Sequence, residues 1–272
     1  MAQGIAIGSS QHRDLFCRQF IDTHDPYDPD KLDWPELDGA SLERLRSMPF
    51  WGEAVSTEQD VARKVQALVP LVPDPLIREA IALQGFEEGR HAALLQRLTK
   101  TYDIQVPPTE EEPASEDAEW NFIRVGYGEC FDSFFAFGLY AVAKESGLFP
   151  RSLLTVVEPI VQEEARHILF FVNWIAYVRK HAPLARKPIE LARSGTAMAL
   201  QVWKRIQTAR GVSDDDMMLN AQDSLNSADL SPGNLLNLCL QEHDRRLGIY
   251  DRRLLRPRFV PAIARSLTKI LP

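Results

Sequence analysis

Glu87-Glu88-Gly89-Arg90-His91 and, 76 residues later, Glu163-Glu164-Ala165-Arg166-His167 repeat one pattern, Glu-Glu-x-Arg-His. Each copy sits in a stretch of helical period. In a helix, positions i and i+3 share a face, so Glu88 with His91 and Glu164 with His167 each aim a carboxylate and an imidazole at one point. Of the six histidines, only His91 and His167 have a Glu three residues earlier. A single Glu-x-x-His arises easily by chance in a chain rich in Glu. Two copies of a five-residue pattern on separate helices do not.

Working outward, apolar residues recur at helical spacing from about residue 53. Val61, Val65, Leu68 and Val72 form a stripe that follows a candidate cap at Ser56 or Thr57 and stops at the cluster Pro70, Pro73, Pro75. A second helix is predicted from Pro75 to about Thr101, then an acidic, Pro-containing linker over 103–116. A third helix spans about 117–145 and stops at Ser146-Gly147, and a fourth runs from Pro150 to about Lys180. One more helix to about Arg210, a polar loop around 212–232 and one or two helices complete the chain. The first 50 residues, with His24-Asp25-Pro26-Tyr27-Asp28-Pro29-Asp30, read as loop. The fold class is therefore all-α. An irregular segment 1–52 packs on a four-helix bundle 53–182, and 183–272 is a helical extension of the same domain.

A metal pair held by carboxylates in a four-helix bundle needs one more Glu from each of the other two helices. Residues equidistant from a tight turn lie at one level of a helical hairpin. Glu58 and Glu88 centre on Pro73, and Glu129 and Glu164 centre between Ser146 and Gly147. Each arm is about 15–17 residues, roughly 22–26 Å, which puts all four acids near mid-bundle. Glu58 falls on the stripe of Val61, Val65 and Leu68, and Glu129 on that of Phe122, Val125, Ser133 and Ala136. An acid on a core-facing stripe is costly unless a cation compensates it. The candidate ligands are therefore Glu58, Glu88, His91, Glu129, Glu164 and His167, with Glu53 as an alternative to Glu58. If the second and third helices run parallel, the linker must span roughly 38 Å, within the ~46–50 Å reach of fourteen extended residues.

Composition narrows the class. The chain has 272 residues, 45% hydrophobic and 25% charged, which excludes disordered, collagen-like and disulfide-scaffold classes. Its longest apolar runs, 133–143 and 168–178, are about half a bilayer span. Three separated cysteines without a CxxC point to a reducing cytoplasm and no thiolate metal site. A net charge of −7 argues against a general nucleic-acid binder.

The set Glu58, Glu88-x-x-His91, Glu129 and Glu164-x-x-His167 resembles the ligand set of the ferritin-like di-iron carboxylate superfamily. The Glu-Glu-x-Arg-His form is similar to that of its oxygen-activating branches, such as soluble acyl-carrier-protein desaturases and bacterial multicomponent monooxygenases. The resemblance covers about residues 53–180. It implies terminal or bridging roles for Glu58 and Glu129, bridging roles for Glu88 and Glu164, and terminal nitrogen ligation by His91 and His167. It also implies two iron ions as cofactor, with manganese–iron or dimanganese centres as alternatives, since this donor set suits both metals. The expected function is a di-iron oxygenase or oxidase that uses O₂ and an electron-donor protein to oxidise a small or carrier-linked organic substrate. A non-catalytic iron or manganese binding or storage protein and a dimanganese catalase are the alternatives. A rubrerythrin-like peroxidase would need a four-cysteine iron site. An arylamine N-oxygenase would carry a further His where Ile160 stands.

Around the ligands, Asp132, one turn after Glu129, is the candidate acceptor for a ligating histidine. Gly126, Cys130, Ser133 and Ala136 are candidate walls of a pocket for O₂ and an apolar substrate, close helix packing being the other reading of those small residues. Glu87, Glu163 and Glu158 read as surface charge, and Arg90 and Arg166 as pointing outward. Tyr127 and Tyr140 read as packed rather than as radical relays, and His243 as a surface or interhelix residue. Residues 245–269 hold eight bases and one acid, Asp251. This basic C-terminus is a candidate dock for an acidic carrier protein, a nucleic acid or anionic lipid, or else a solvated face or homodimer contact.

Overall fold

The computed structural model describes residues 4–106, 115–209 and 231–271. Most of the expected linker and polar loop therefore lies outside the described residues. Among those residues there are nine α-helices and no strand: α1 Ser10–Asp22, α2 Gly39–Ser47, α3 Trp51–Leu68, α4 Pro75–Thr101, α5 Ala118–Glu145, α6 Arg151–His181, α7 Lys187–Ala209, α8 Pro232–Gly248 and α9 Phe259–Leu267. None is long and apolar enough to cross a membrane.

Helix ends fall where local chemistry puts them. The Asp74 carboxylate accepts from the amides of Leu76 and Ile77, with Pro75 in the first turn of α4. Asp117 caps α5 through the amide of Trp120. The α5–α6 turn contains Gly147 at φ +66°, a left-handed conformation that favours glycine. α3 begins at Trp51 without a side-chain cap, one turn ahead of the expected Ser56 or Thr57.

Two apolar clusters fix the directions of the bundle helices. One gathers Val65, Leu68, Ile77, Ile81, Phe122, Ile123, Ile168 and Phe171. The other gathers Trp51, Leu98, Leu139, Val142, Leu153 and Leu154. The first holds the start of α4 and the start of α5, and the second holds their ends, so these two helices run parallel. α3 is antiparallel to α4, and α6 to α5. The six candidate ligands lie between the two clusters.

The N-terminal segment is not a plain loop. Ser9 caps α1, whose His12, Phe16, Cys17 and Phe20 are buried, and Asp38 caps α2. The α1 stripe is short and begins with a histidine, so its period is hidden in the sequence. His12 Nε2 is 3.0 Å from Asn173 Oδ1 on α6, which ties α1 to the bundle. His243, expected at a surface or between helices, is buried on α8 with its ring edge against Phe134.

Candidate metal centre

The two motif helices bring their imidazoles together, with ring centroids 5.5 Å apart and planes tilted by 30°. His91 Nδ1 lies 3.5 Å from Glu58, 3.7 Å from Glu88 and 3.2 Å from Glu164. His167 Nδ1 lies 2.9 Å from Glu88 and 3.7 Å from Glu164. One donor atom from each of Glu88, His91, Glu164 and His167 can be chosen so that all four lie within 4.8 Å of one another. Both Nδ1 atoms are buried and neither has a hydrogen-bond partner among the described residues. Glu58 is the α3 carboxylate beside His91, while Glu53, five residues earlier, lines the adjoining cavity.

Glu129 joins through a residue that sequence reading missed. The Gln84 amide nitrogen, one turn before Glu88, lies 3.4 Å from Glu129 Oε2 and 3.5 Å from Glu88 Oε1. Ser133, expected only as pocket wall, donates to Glu164 at 3.2 Å.

The charges are arranged for a cation. Burial raises Glu58 to about 8. Burial, then the negative charges of Glu88 and Glu164, push Glu129 well above the ordinary carboxylate range. Burial would also raise Glu88 and Glu164, but for Glu88 the two histidines overturn this and hold it low. Glu164 is held low by the same imidazoles, against the added repulsion of Glu88. Burial would lower both histidines, yet the surrounding carboxylates raise them well above their ordinary value.

Behind the histidines the two motifs interlock, and two sequence expectations are corrected. Glu87 and Glu163 are not surface charges but are buried at 0% and 2% exposure. Glu163 Oε2 lies 2.8 Å from His91 Nε2, and Glu87 Oε2 lies 2.9 Å from His167 Nε2. Arg90 and Arg166 do not point outward. Arg90 pairs with Glu163, and Arg166 donates to Glu87 at 2.9 Å. The first Glu of each motif thus receives the Arg and the His of the other. Burial would raise Glu87, but His167 and Arg166 hold it at about 2. The fixed first Glu and fixed Arg in both copies were the available signal, because an i, i+3 ligand pair requires neither.

The segment after α1 closes this side. Arg90 donates to the carbonyls of Asp25 and Tyr27 and lies 3.8 Å over the Tyr27 ring. Arg166 donates to Thr23 Oγ1 and the Phe20 carbonyl. His24 contacts Glu87, and Tyr27 donates to Glu163 at 3.4 Å. Asp132, the expected histidine acceptor, pairs instead with Arg205 of α7, its side chain 44% exposed. Glu158 is half-buried and binds Arg246.

On the opposite side the carboxylates face a cavity of about 870 Å³. Leu98, Leu139, Phe149, Leu153, Leu154 and Val157 line one part, and Asn121, Arg124, Gln201 and Lys204 another. Ser133, Ala136 and Gly128 face it, whereas the expected wall residues Gly126 and Cys130 do not. A Cβ on Gly126 would sit 2.1 Å from the Phe171 ring, so that glycine permits close approach of α6. Cys130 is buried in the apolar core. Tyr140 lines the cavity and donates to the Leu154 carbonyl, while Tyr127 packs on Phe171 and accepts from Arg179.

The residues fit a pair of divalent ions. The six glutamates, 58, 87, 88, 129, 163 and 164, and the two arginines carry four net negative charges when fully ionised, which two such ions neutralise. The unpartnered Nδ1 atoms supply one nitrogen each, with Nε2 already held by a carboxylate, the arrangement common to metal-bound imidazoles.

The chain has the ferritin-like all-α fold, with its carboxylate–histidine cluster at mid-bundle. It superposes on a solved structure described as an R2-like ligand-binding oxidase, a mutant with an anaerobically reconstituted Mn/Fe cofactor. The TM-score is 0.53 at 15% identity, covering 92% of this chain and 95% of the other. No protein-family model matches the sequence. No curated protein matches it either.

Proposed function

We propose that this chain is a di-metal carboxylate oxidoreductase that activates O₂ to oxidise a small or carrier-linked organic substrate, with electrons from a separate donor protein. Hydroxylation, desaturation and cleavage are the reaction classes open to it. The observation that carries this reading is the pair of buried, unpartnered Nδ1 atoms facing four carboxylates, with a mostly apolar cavity against those carboxylates.

Glu58, Glu88, Glu129, Glu164, His91 and His167 would hold the two ions. Held there, two reduced ions would supply electrons to O₂ jointly. Glu87 and Glu163 keep each imidazole in the tautomer with Nδ1 open and fix its plane. Gln84 orients Glu129 and Glu88, and Ser133 orients Glu164. Burial favours the protonated form of Glu58 and Glu129, and two bound cations would oppose that. The apolar part of the cavity excludes water and places a substrate carbon against the carboxylate side of the centre.

Iron in both positions is the leading assignment. A mixed manganese–iron centre is the second, favoured by the cofactor of the structural neighbour. Three free, buried thiols, Cys17, Cys130 and Cys239, fit a cytoplasmic setting. Anaerobic loading with Fe(II), alone and with Mn(II), followed by O₂ exposure tests the proposal. Two ions per chain and a transient absorption on mixing with O₂ are expected. Oxygen evolution from peroxide would favour a catalase instead, and slow featureless oxidation with hundreds of irons per assembly would favour storage.

A further inference from the structure

The end of the chain, outside the metal cluster, carries a second feature. α9 buries Val260, Pro261 and Ala264 and leaves apolar surface outside: Phe259 is 43% exposed, Ile263 39% and Leu267 37%. Ile270, in the turn that follows, is 76% exposed. At 100° per residue, Phe259, Ile263 and Ile270 fall within about 40° of one another. Arg258, Arg265 and Lys269, at i, i+7 and i+11, line one edge of this strip. Residues 252–272 hold six bases and no acid. Arg253 is held by Asp251, and Arg265 reaches Asp244 at 3.5 Å. Arg252, Arg258 and Lys269 form no ion pair among the described residues.

We infer that α9 docks on the surface of an anionic phospholipid bilayer, its apolar strip in the acyl boundary and its basic edge among the headgroups. An exposed apolar strip flanked by unpaired cations is the pattern of an interfacial helix. The charge selects the occupant. A second copy of the chain laid antiparallel on α9 would set Arg258, Arg265 and Lys269 against their like. An acidic protein would satisfy the cations but not require the apolar strip, whereas an anionic bilayer satisfies both. Among the described residues no helix is long and apolar enough to cross a membrane, so the contact argued for α9 is peripheral. It places α5 near the lipid, since Phe259 meets Phe131 at 6.1 Å, beside the cavity residue Asp132.

Flotation of the full chain with vesicles tests this, comparing pure phosphatidylcholine with an equal mixture of phosphatidylcholine and phosphatidylglycerol. The two unpaired cations on that edge, Arg258 and Lys269, favour the anionic vesicles on the order of thirtyfold at low salt, and added salt erodes the preference. The pair Ile263→Ser and Ile270→Ser should weaken binding by about tenfold or more, since it removes exposed apolar side chains only. An Ile270→Trp variant should show a blue-shifted fluorescence with anionic vesicles alone. Equal partition to both vesicle types, or serine variants that bind like wild type, would overturn the inference. So would a solution dimer dissolved by Ile263→Ser, or an acidic carrier protein bound through the cations, where no vesicle binding is seen.

Discussion

Behind His91 and His167 lie two glutamates and two arginines in one-to-one pairs, each glutamate also bonded to an imidazole and sealed by the segment after α1. In front lie Glu58 and Glu129, whose burial leaves them short of positive charge, beside a cavity of about 870 Å³. The rear is neutral without a metal and holds its geometry. The front holds carboxylates whose charge two divalent ions would offset, and it has room for carboxylates and substrate to move. Substitutions behind the histidines should therefore damage fold and metal binding together, while those in front should separate metal binding from turnover.

The largest effect is expected from Glu163→Gln. It leaves the buried Arg90 uncompensated, which costs about 3–5 kcal/mol for a broken buried pair. It also weakens the carboxylate that orients His91, a loss of about 10–100-fold in metal affinity. Thermal unfolding and metal titration would read the two effects, and Glu87→Gln should behave alike through Arg166 and His167. If either variant keeps both properties, the two sides do not differ as described.

Next is the dependence of the metal-free protein on pH. Glu58 is raised from 4.5 to about 8, so its contribution is fully present below 4.5 and lost as pH rises through about 8. The raised histidines act in the same direction. Glu87, depressed to about 2, contributes above 4.5, and that contribution is lost as pH falls through about 2. Melting temperature in the presence of a chelator should fall between about pH 5 and about pH 8.5, and metal loading should flatten the profile.

A front-side change, Ala136→Phe, should keep two ions per chain and a near-normal melting temperature, yet slow substrate oxidation by tenfold or more by filling the cavity. Metal analysis alongside turnover would separate these. The smallest effect is expected from Asp132→Asn. It loses a partly exposed pair with Arg205, about 0–1 kcal/mol, and leaves metal content unchanged.

The same contrast explains what the sequence revealed. The front was legible because Glu58 and Glu129 stand on apolar stripes, where an acid is an anomaly, and because i, i+3 geometry is local. The rear was not, since Glu87, Glu163, Arg90 and Arg166 are hydrophilic residues on long helices, and charge at such positions is usually solvated. Their burial depends on contacts 72 to 80 residues apart and on a covering segment whose short α1 stripe hides its helix. Asp132 has only its local spacing from Glu129 to suggest a histidine partner, and a long-range partner, Arg205, claims it.

The central claim is that two ions sit on the Nδ1 side of the histidines. Anomalous X-ray diffraction from crystals of the anaerobically loaded protein tests it most directly. Two peaks per chain, about 3.5–4 Å apart, between the Nδ1 atoms and Glu58, Glu88, Glu129 and Glu164 are predicted. A single peak, or metal on the Nε2 side among His24, Glu87 and Glu163, would contradict it.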